Sequence, residues 1–379
     1  MLKNRVAKNH KLLRKWARKN LVTCFRLYDR DIPEIPLAID LYEFLPDDVA
    51  TPEEAASFLQ EQAAAESANQ PGAAARRLER TWLKVFLYER PYEKPIEEER
   101  AWLGAMTDAL AECLCVDKGR IAAKTRLHEK GGSQYAKENS AQDKKAPQAQ
   151  EAAAQKAPQA QEARGRVFEN GSIFFVDLES YLDTGLFLDM RPARAMIKEK
   201  CSDREKSGLK TRVLNLFCYT SSFSVAAASG GADFVQSVDL SNTYLNWSKK
   251  NFSLNGFDPE NFEWTKGDVM AFLDQSAPRR DDSSALYDII ILDPPTFSNS
   301  KSAANDLDIK RDWPILCRKC LAILKSNGIL YFSTNAKTLK FDPSLLPPGT
   351  RAQEITERTI DPDFKTKKSH RMWLLQKAD

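Results

Sequence analysis

Tyr287-Asp288-Ile289-Ile290-Ile291-Leu292 is an apolar run that breaks into Asp293-Pro294-Pro295-Thr296-Phe297, and it leaves the chain few folds to choose from. The run is too short for a buried helix and rich in β-branched residues. It predicts a strand covered on both faces, as in a parallel sheet, whose carboxyl end opens into a loop. In open α/β sheets ligands sit beyond the carboxyl ends of the strands, so Asp293 and the stiff Pro294-Pro295 step stand where a substrate is expected.

The stretch upstream strengthens this reading. Arg212-Val213-Leu214-Asn215-Leu216-Phe217-Cys218-Tyr219-Thr220-Ser221-Ser222-Phe223-Ser224 reads as strand, tight turn and helix start. A second strand, Phe234 to Val238, ends in Asp239, roughly 20 residues after the turn, the spacing at which an acid meets ribose hydroxyls in nucleotide-binding folds. A third, Phe262 to Lys266, leads into Gly267-Asp268. Three strands thus deliver acids to one sheet edge. The first turn carries no Gly-x-Gly-x-x-Gly, which argues against an NAD-dependent reductase.

These residues resemble class I S-adenosylmethionine-dependent methyltransferases. Within them, the blocks Tyr181 to Arg191, Leu214 to Thr220, Val238 to Leu245 and Asp293 to Lys301 are similar to the RlmK-type 23S ribosomal RNA guanine-N7 methyltransferases, which form the C-terminal half of a bacterial fusion enzyme. The resemblance implies an α/β, Rossmann-like domain with a mostly parallel seven-stranded sheet over residues 184–379. It also implies S-adenosylmethionine as cofactor and Phe187, Arg191, Asn215, Phe217, Tyr219, Thr220, Ser221, Asp239, Leu240, Asp268, Val269 and Asp293 as its binding residues. Asp239 is expected to accept from the ribose and Asp268 from the adenine amine, with Val269 on the ring. Ser221 stands where the family has a glycine, so a backbone freedom useful to the turn is lost.

At the acceptor the resemblance places Asp293, Pro294, Pro295, Phe297, Asn335 and Lys337 as catalytic. Methylation at pyrimidine C5 needs a covalent cysteine, which related C5 enzymes place after a strand matching Gly328 to Ser333; here Thr334-Asn335-Ala336-Lys337 follows, without one. Guanine N7 needs only alignment with the sulfonium methyl and exclusion of water. Asp293 would hold the guanine edge, Phe297 would stack on it, and Asn335 and Lys337 would touch base or phosphate. Methylation of an exocyclic amine, at guanine N2 or adenine N6, remains open, as does a non-catalytic ribosome-assembly role. The expected partner is 23S ribosomal RNA or an assembling large-subunit particle, with a separate guanine-N2 methyltransferase as a further partner.

Charge locates the contact with RNA. Lys and Arg number 56 against 53 Asp and Glu, yet residues 1–20 hold Lys3, Arg5, Lys8, Lys11, Arg14, Lys15, Arg18 and Lys19 and no acid. With Leu2, Val6, Leu13 and Trp16 at helical spacing this is a basic amphipathic helix able to neutralise phosphates. Residues 21–183 read as a small α+β RNA-binding domain, with strands at Cys24–Tyr28, Asp31–Pro36, Leu37–Asp40, Trp82–Tyr88 and Arg120–Arg126, the last carrying Lys124 outward. A helix is expected at Ile96–Val116, and Ala50–Ala75 as surface helix or loop. Residues 136–165 contain a repeated Lys-Ala-Pro-Gln-Ala-Gln-Glu-Ala and read as a disordered insert, followed by a hairpin turning at Asn170-Gly171.

No apolar run is long enough for a bilayer and no signal peptide is evident, so a cytoplasmic protein is expected. Seven scattered cysteines fit a reducing compartment. Cys317-Arg318-Lys319-Cys320 lacks a second ligand pair and reads as packing, so no metal is expected.

Overall fold

A computed structural model describes residues 1–89, 92, 94–126, 163–276, 287–298, 306–365 and 368–377. The chain opens with α1 (Leu2–Lys19), β1 (Cys24–Asp29), β2 (Leu37–Glu43), α2 (Pro52–Ser67), α3 (Ala73–Leu78), β3 (Thr81–Tyr88), α4 (Ile96–Leu114) and β4 (Ile121–Arg126). The four strands form one sheet in the order β1-β2-β3-β4, parallel only at β3 and β4. Both faces of β2 are buried: Leu37, Ile39 and Leu41 meet Leu2, Val6 and Ala17 of α1 in one core, while Tyr42 belongs to the core of the following unit. Helix α2 begins where it does because Thr51 and Glu54 form a capping box around Pro52.

The second unit continues with β5 (Arg164–Glu169), β6 (Ser172–Asp177), α5 (Arg191–Lys206), β7 (Arg212–Leu216), α6 (Ser222–Ser229), β8 (Phe234–Asp239), α7 (Asn242–Leu254), β9 (Glu263–Lys266) and α8 (Val269–Gln275). It closes with β10 (Tyr287–Leu292), β11 (Phe297–Ser298), β12 (Leu307–Asp308), α9 (Ile309–Ala322), β13 (Leu324–Thr334), β14 (Arg351–Glu354) and β15 (Arg371–Gln376). Seven strands pair in the order β14-β15-β13-β10-β7-β8-β9. β13, β10, β7, β8 and β9 run parallel, and β15 runs against both its neighbours. Ile289 and Ile291 enter one core and Ile290 and Leu292 the other, which is why β10 is apolar at four consecutive positions. The chain lays β8 and β9 to one side of β7 and then returns to lay β10 and β13 on the other. The crevice beyond the carboxyl ends of β7 and β10 is therefore the topological switch point.

Several expectations need correction. Asp31–Pro36 is not a strand: Arg30 has φ 53°, and turn bonds from Ile35 N to Ile32 O and Leu37 N to Ile35 O fold the prolines back. Residues 50–75 are not all surface, since Ala55 and Leu59 of α2 are buried against Phe168 and Ile173. Most of the 136–165 insert lies outside the described residues, but Ala163 is buried and β5 already begins at Arg164. The hairpin turns as expected, with φ 51° at Asn170 and 73° at Gly171, the two left-handed residues of a type I′ turn. Lys124 does not point outward for RNA; its ammonium donates to Tyr181 O at 3.1 Å. No described helix is long and apolar enough to cross a membrane.

Candidate active site

The loop leaving β7 is bent harder than its residue types favour. Phe217, Tyr219 and Ser221 have φ of 55°, 52° and 58°, three left-handed non-glycine residues within five positions. Each such conformation costs on the order of 1–3 kcal/mol and survives only where the surroundings enforce it. They do so here. Cys218 N bonds Val238 O at 3.0 Å, Tyr219 N bonds Asp239 Oδ2 at 2.9 Å, and Ser248 Oγ and Asn251 Nδ2 of α7 bond the carbonyls of Tyr219 and Thr220. Ser221 thus takes the backbone conformation of a glycine without being one. Its Oγ is buried without a hydrogen-bond partner among the described residues.

A second segment is fastened to the loop. Gly185 N donates to the Tyr219 hydroxyl at 2.9 Å, and Thr220 Oγ1 donates to Gly185 O at 2.6 Å. Gly185 has φ 96°, and a Cβ there would fall 2.1 Å from Trp247 Cζ2, so only glycine lets residues 183–187 lie this close. The Tyr219 ring is held between Phe187, at 5.0 Å, and Tyr244, at 4.6 Å edge-on. Phe187, Phe217, Asp239, Leu240, Asp268 and Asp293 are all half-buried along this crevice.

The acids at the three strand ends differ in their use. Asp239 caps the loop with backbone bonds from Tyr219 N and Ser241 N, each at 2.9 Å, and forms no ion pair among the described residues. Burial raises its carboxyl above the ordinary value against the pull of those N–H groups. A carboxylate enclosed without a cation, with lone pairs to spare, suits hydroxyl donors. Asp268 starts α8 by accepting from Ala271 N at 2.9 Å, and a Cβ on the neighbouring Gly267 would meet nothing within 4 Å, so the space beside it is open. Val269 is 2 % exposed and packs with Leu273 in the core, so its side chain does not offer the ring surface expected of it.

Asp293 marks the other end of the crevice. Its Oδ1 accepts from Ser333 Oγ of β13 at 2.6 Å. Burial pushes its carboxyl up to about 6, against the Ser333 bond and the His370 charge, with Asp189 adding to the rise. Pro294 is buried and Phe297 is 56 % exposed. Asn335 and Lys337 are exposed in the turn after β13. Because the folded value near 6 lies above that of a free aspartate, the carboxyl protonates as pH falls through 6. The fold is then relatively stabilised by this group, while the acceptor charge is lost. Methyl transfer is expected to fall roughly tenfold between pH 7 and 5. Asp293→Asn should be slower and flat across that range, and a pH–rate profile in which the variant keeps the limb would remove Asp293 from the step.

Arg191 and Asn215 leave the donor set. Arg191 is 2 % exposed; its guanidinium lies against Glu169, Asp361 and Asp363 and donates to Cys24 O at 2.7 Å, joining β1, the hairpin and the 361–364 turn. Asp189, two residues before Arg191, faces His370 Nδ1 at 3.3 Å. Asn215 is 1 % exposed and donates to Ser224 Oγ, which bonds Ser237 Oγ, a polar chain beneath the loop rather than in the crevice. Motif reading missed Gly185, Tyr244, Ser333 and the pair Asp189 and His370. Burial alone would raise Asp189, but the His370 hydrogen bond and charge hold it down near 2. His370 is wholly buried, with Nε2 2.9 Å from Thr359 Oγ1.

The family described as S-adenosylmethionine-dependent methyltransferase matches residues 148–351. The chain belongs to that family. Ribosomal RNA large subunit methyltransferase K of Neisseria meningitidis serogroup B is 36 % identical over 370 residues, covering 98 % of this chain and 85 % of that protein. Ribosomal RNA large subunit methyltransferase K/L of Pseudomonas fluorescens is 38 % identical over 374 residues, covering 98 % of this chain but 40 % of that protein. The chain therefore spans about two-fifths of the length of the K/L relatives it matches, 40 % and 42 % in two of them. A methyltransferase solved with SAH superposes with a TM-score of 0.61 over 99 % of this chain and 80 % of that one. At 22 % identity that likeness supports the fold, as does the equal score of an S-adenosylmethionine-dependent methyltransferase from Streptococcus mutans.

The crevice fits the family's donor. Asp239 would accept from its ribose, Asp268 and the open space at Gly267 would border its adenine, and the half-buried Phe187 and Phe217 would line it. When bound, S-adenosylmethionine supplies a sulfonium-borne methyl, the electrophile of the reaction. This methyltransferase then needs its own residues to orient an acceptor and to keep water out.

Proposed function

We propose that this chain methylates a guanine of 23S ribosomal RNA at N7, with S-adenosylmethionine as donor. The substrate class rests on the relative named ribosomal RNA large subunit methyltransferase K, matched over 85 % of its length. The atom rests on one observation: the carboxylate at the end of β10 is bonded from Ser333, stands two prolines before exposed Phe297, and has no thiol in the turn that follows β13. Cys317 and Cys320 are buried in α9. Such a site can orient a base through its hydrogen-bonding edge and stack it, which is what a lone-pair nucleophile requires.

The enclosed Asp293 favours a second reading, transfer to an exocyclic amine whose proton it would take. A separate chain carrying a guanine-N2 activity is a partner within this proposal. Incubation of the protein with donor and unmodified 23S ribosomal RNA, followed by mass spectrometry of the nucleosides, is expected to yield 7-methylguanosine. A methylated amine instead would promote the second reading, and RNA binding without any methylated nucleoside would support an assembly role.

A further inference from the structure

The eight cations of the N-terminal helix are not equivalent. Lys3 pairs with Glu112, Arg5 with Asp31, and Arg14 and Arg18 both with Glu66, so these four are used within the fold. Lys8, Lys11, Lys15 and Lys19 are exposed and form no ion pair among the described residues. At 3.6 residues per turn they fall within an arc of about 80°, one per turn, nearly opposite the buried face of Leu2, Val6 and Ala17. No acid interleaves them, although like charges three and four apart disfavour a helix. Leu12, 63 % exposed, borders the stripe.

We infer that Lys8, Lys11, Lys15 and Lys19 form a rail for the phosphates of RNA, a surface that deepens the substrate reading above. Four ammonium groups spaced by about one helical pitch, roughly 5 Å, complement a run of backbone phosphates and carry no base preference. The rail leads to the catalytic unit: the Trp16 ring of the same helix lies 5.2 Å from the guanidinium of Arg191, which opens α5 directly after the segment that reaches the donor loop. RNA is favoured over an anionic membrane because the apolar face of α1 is occupied by the β1–β4 sheet and α4, leaving Leu12 but no continuous apolar face to insert.

The test is the salt dependence of RNA binding by the whole chain, with the four lysines changed together to glutamine. Each phosphate contact contributes about 0.7–0.9 to the slope of log K against log salt, so the slope should become shallower by roughly 3. Affinity would then fall roughly 60-fold less across a fourfold rise in salt. Donor binding by calorimetry should be unchanged. Lys3→Gln with Arg5→Gln serves as the control and should keep the native slope. An unchanged slope in the lysine variant, or an equal loss in the control, overturns the rail. So would binding to phosphatidylserine vesicles that competes with RNA and is lost with the same lysines. Methylated nucleosides are scored in the same samples, so an RNA that binds through the lysines but is not methylated leaves the rail standing and sinks the function proposed above.

Discussion

Asp239→Ala is expected to weaken donor binding by roughly two to four powers of ten, because two hydrogen bonds to a carboxylate are worth about 1.5–3 kcal/mol each. The carboxylate has a second task, however. It accepts from Tyr219 N and Ser241 N and so helps hold a loop with three left-handed residues. Loss of affinity alone would therefore not separate a lost ribose contact from a loosened loop. Calorimetry with SAH and with its 2′,3′-dideoxy analogue does so, since coupled groups show their coupling only in a double-variant cycle. The native chain should bind the dideoxy ligand far more weakly, and the variant should bind both ligands alike. If the variant still distinguishes them, the diol is held elsewhere and Asp239 serves the loop.

Much of this site is legible from strand chemistry. The β-branched run Ile289 to Ile291 is apolar on consecutive positions because both of its faces are covered, and its carboxyl end had to open at Asp293. Asp239 and Asp268 follow from the same logic of parallel strands ending at one edge. What pattern reading cannot supply is which partner a long side chain selects after the chain has folded. Arg191 stands in a block that resembles the donor site, but Asp361 and Asp363, some 170 positions away in sequence, close on it and bury it. His370 meets Asp189 for the same reason, because β15 returns antiparallel beside β13 and brings Arg371 opposite Thr334.

Ser221 shows the converse. A serine at a turn that prefers glycine reads as a weakness, yet the hydrogen bonds from Cys218, Tyr219 and α7 enforce the left-handed conformation at φ 58°. The backbone geometry of the turn is kept by its neighbours rather than by residue type. The N-terminal helix carries the same lesson in charge: eight cations in sequence become four internal ion-pair partners and four lysines with no ion pair among the described residues once Glu66, Asp31 and Glu112 have taken their places.

Methyl transfer to an RNA carrying 7-deazaguanine at the target is expected to be absent while binding persists. This analogue keeps the exocyclic amine, the N1–H and the carbonyl that Asp293 and its surroundings can read, and it keeps the ring that Phe297 can stack. It lacks only the N7 lone pair. A variant of Asp293 cannot make this distinction. Under N7 attack the carboxylate orients the base, and under amine attack it would draw on the N–H bonds, so Asp293→Asn should slow both. The carboxyl value near 6 is compatible with either role, since it leaves the group ionised at neutral pH but able to take a proton. Replacing the nucleophile itself isolates the step. With binding measured in the same samples, zero transfer at native affinity places the methyl on N7. Transfer at the native rate would sink that assignment and move the reaction to the amine.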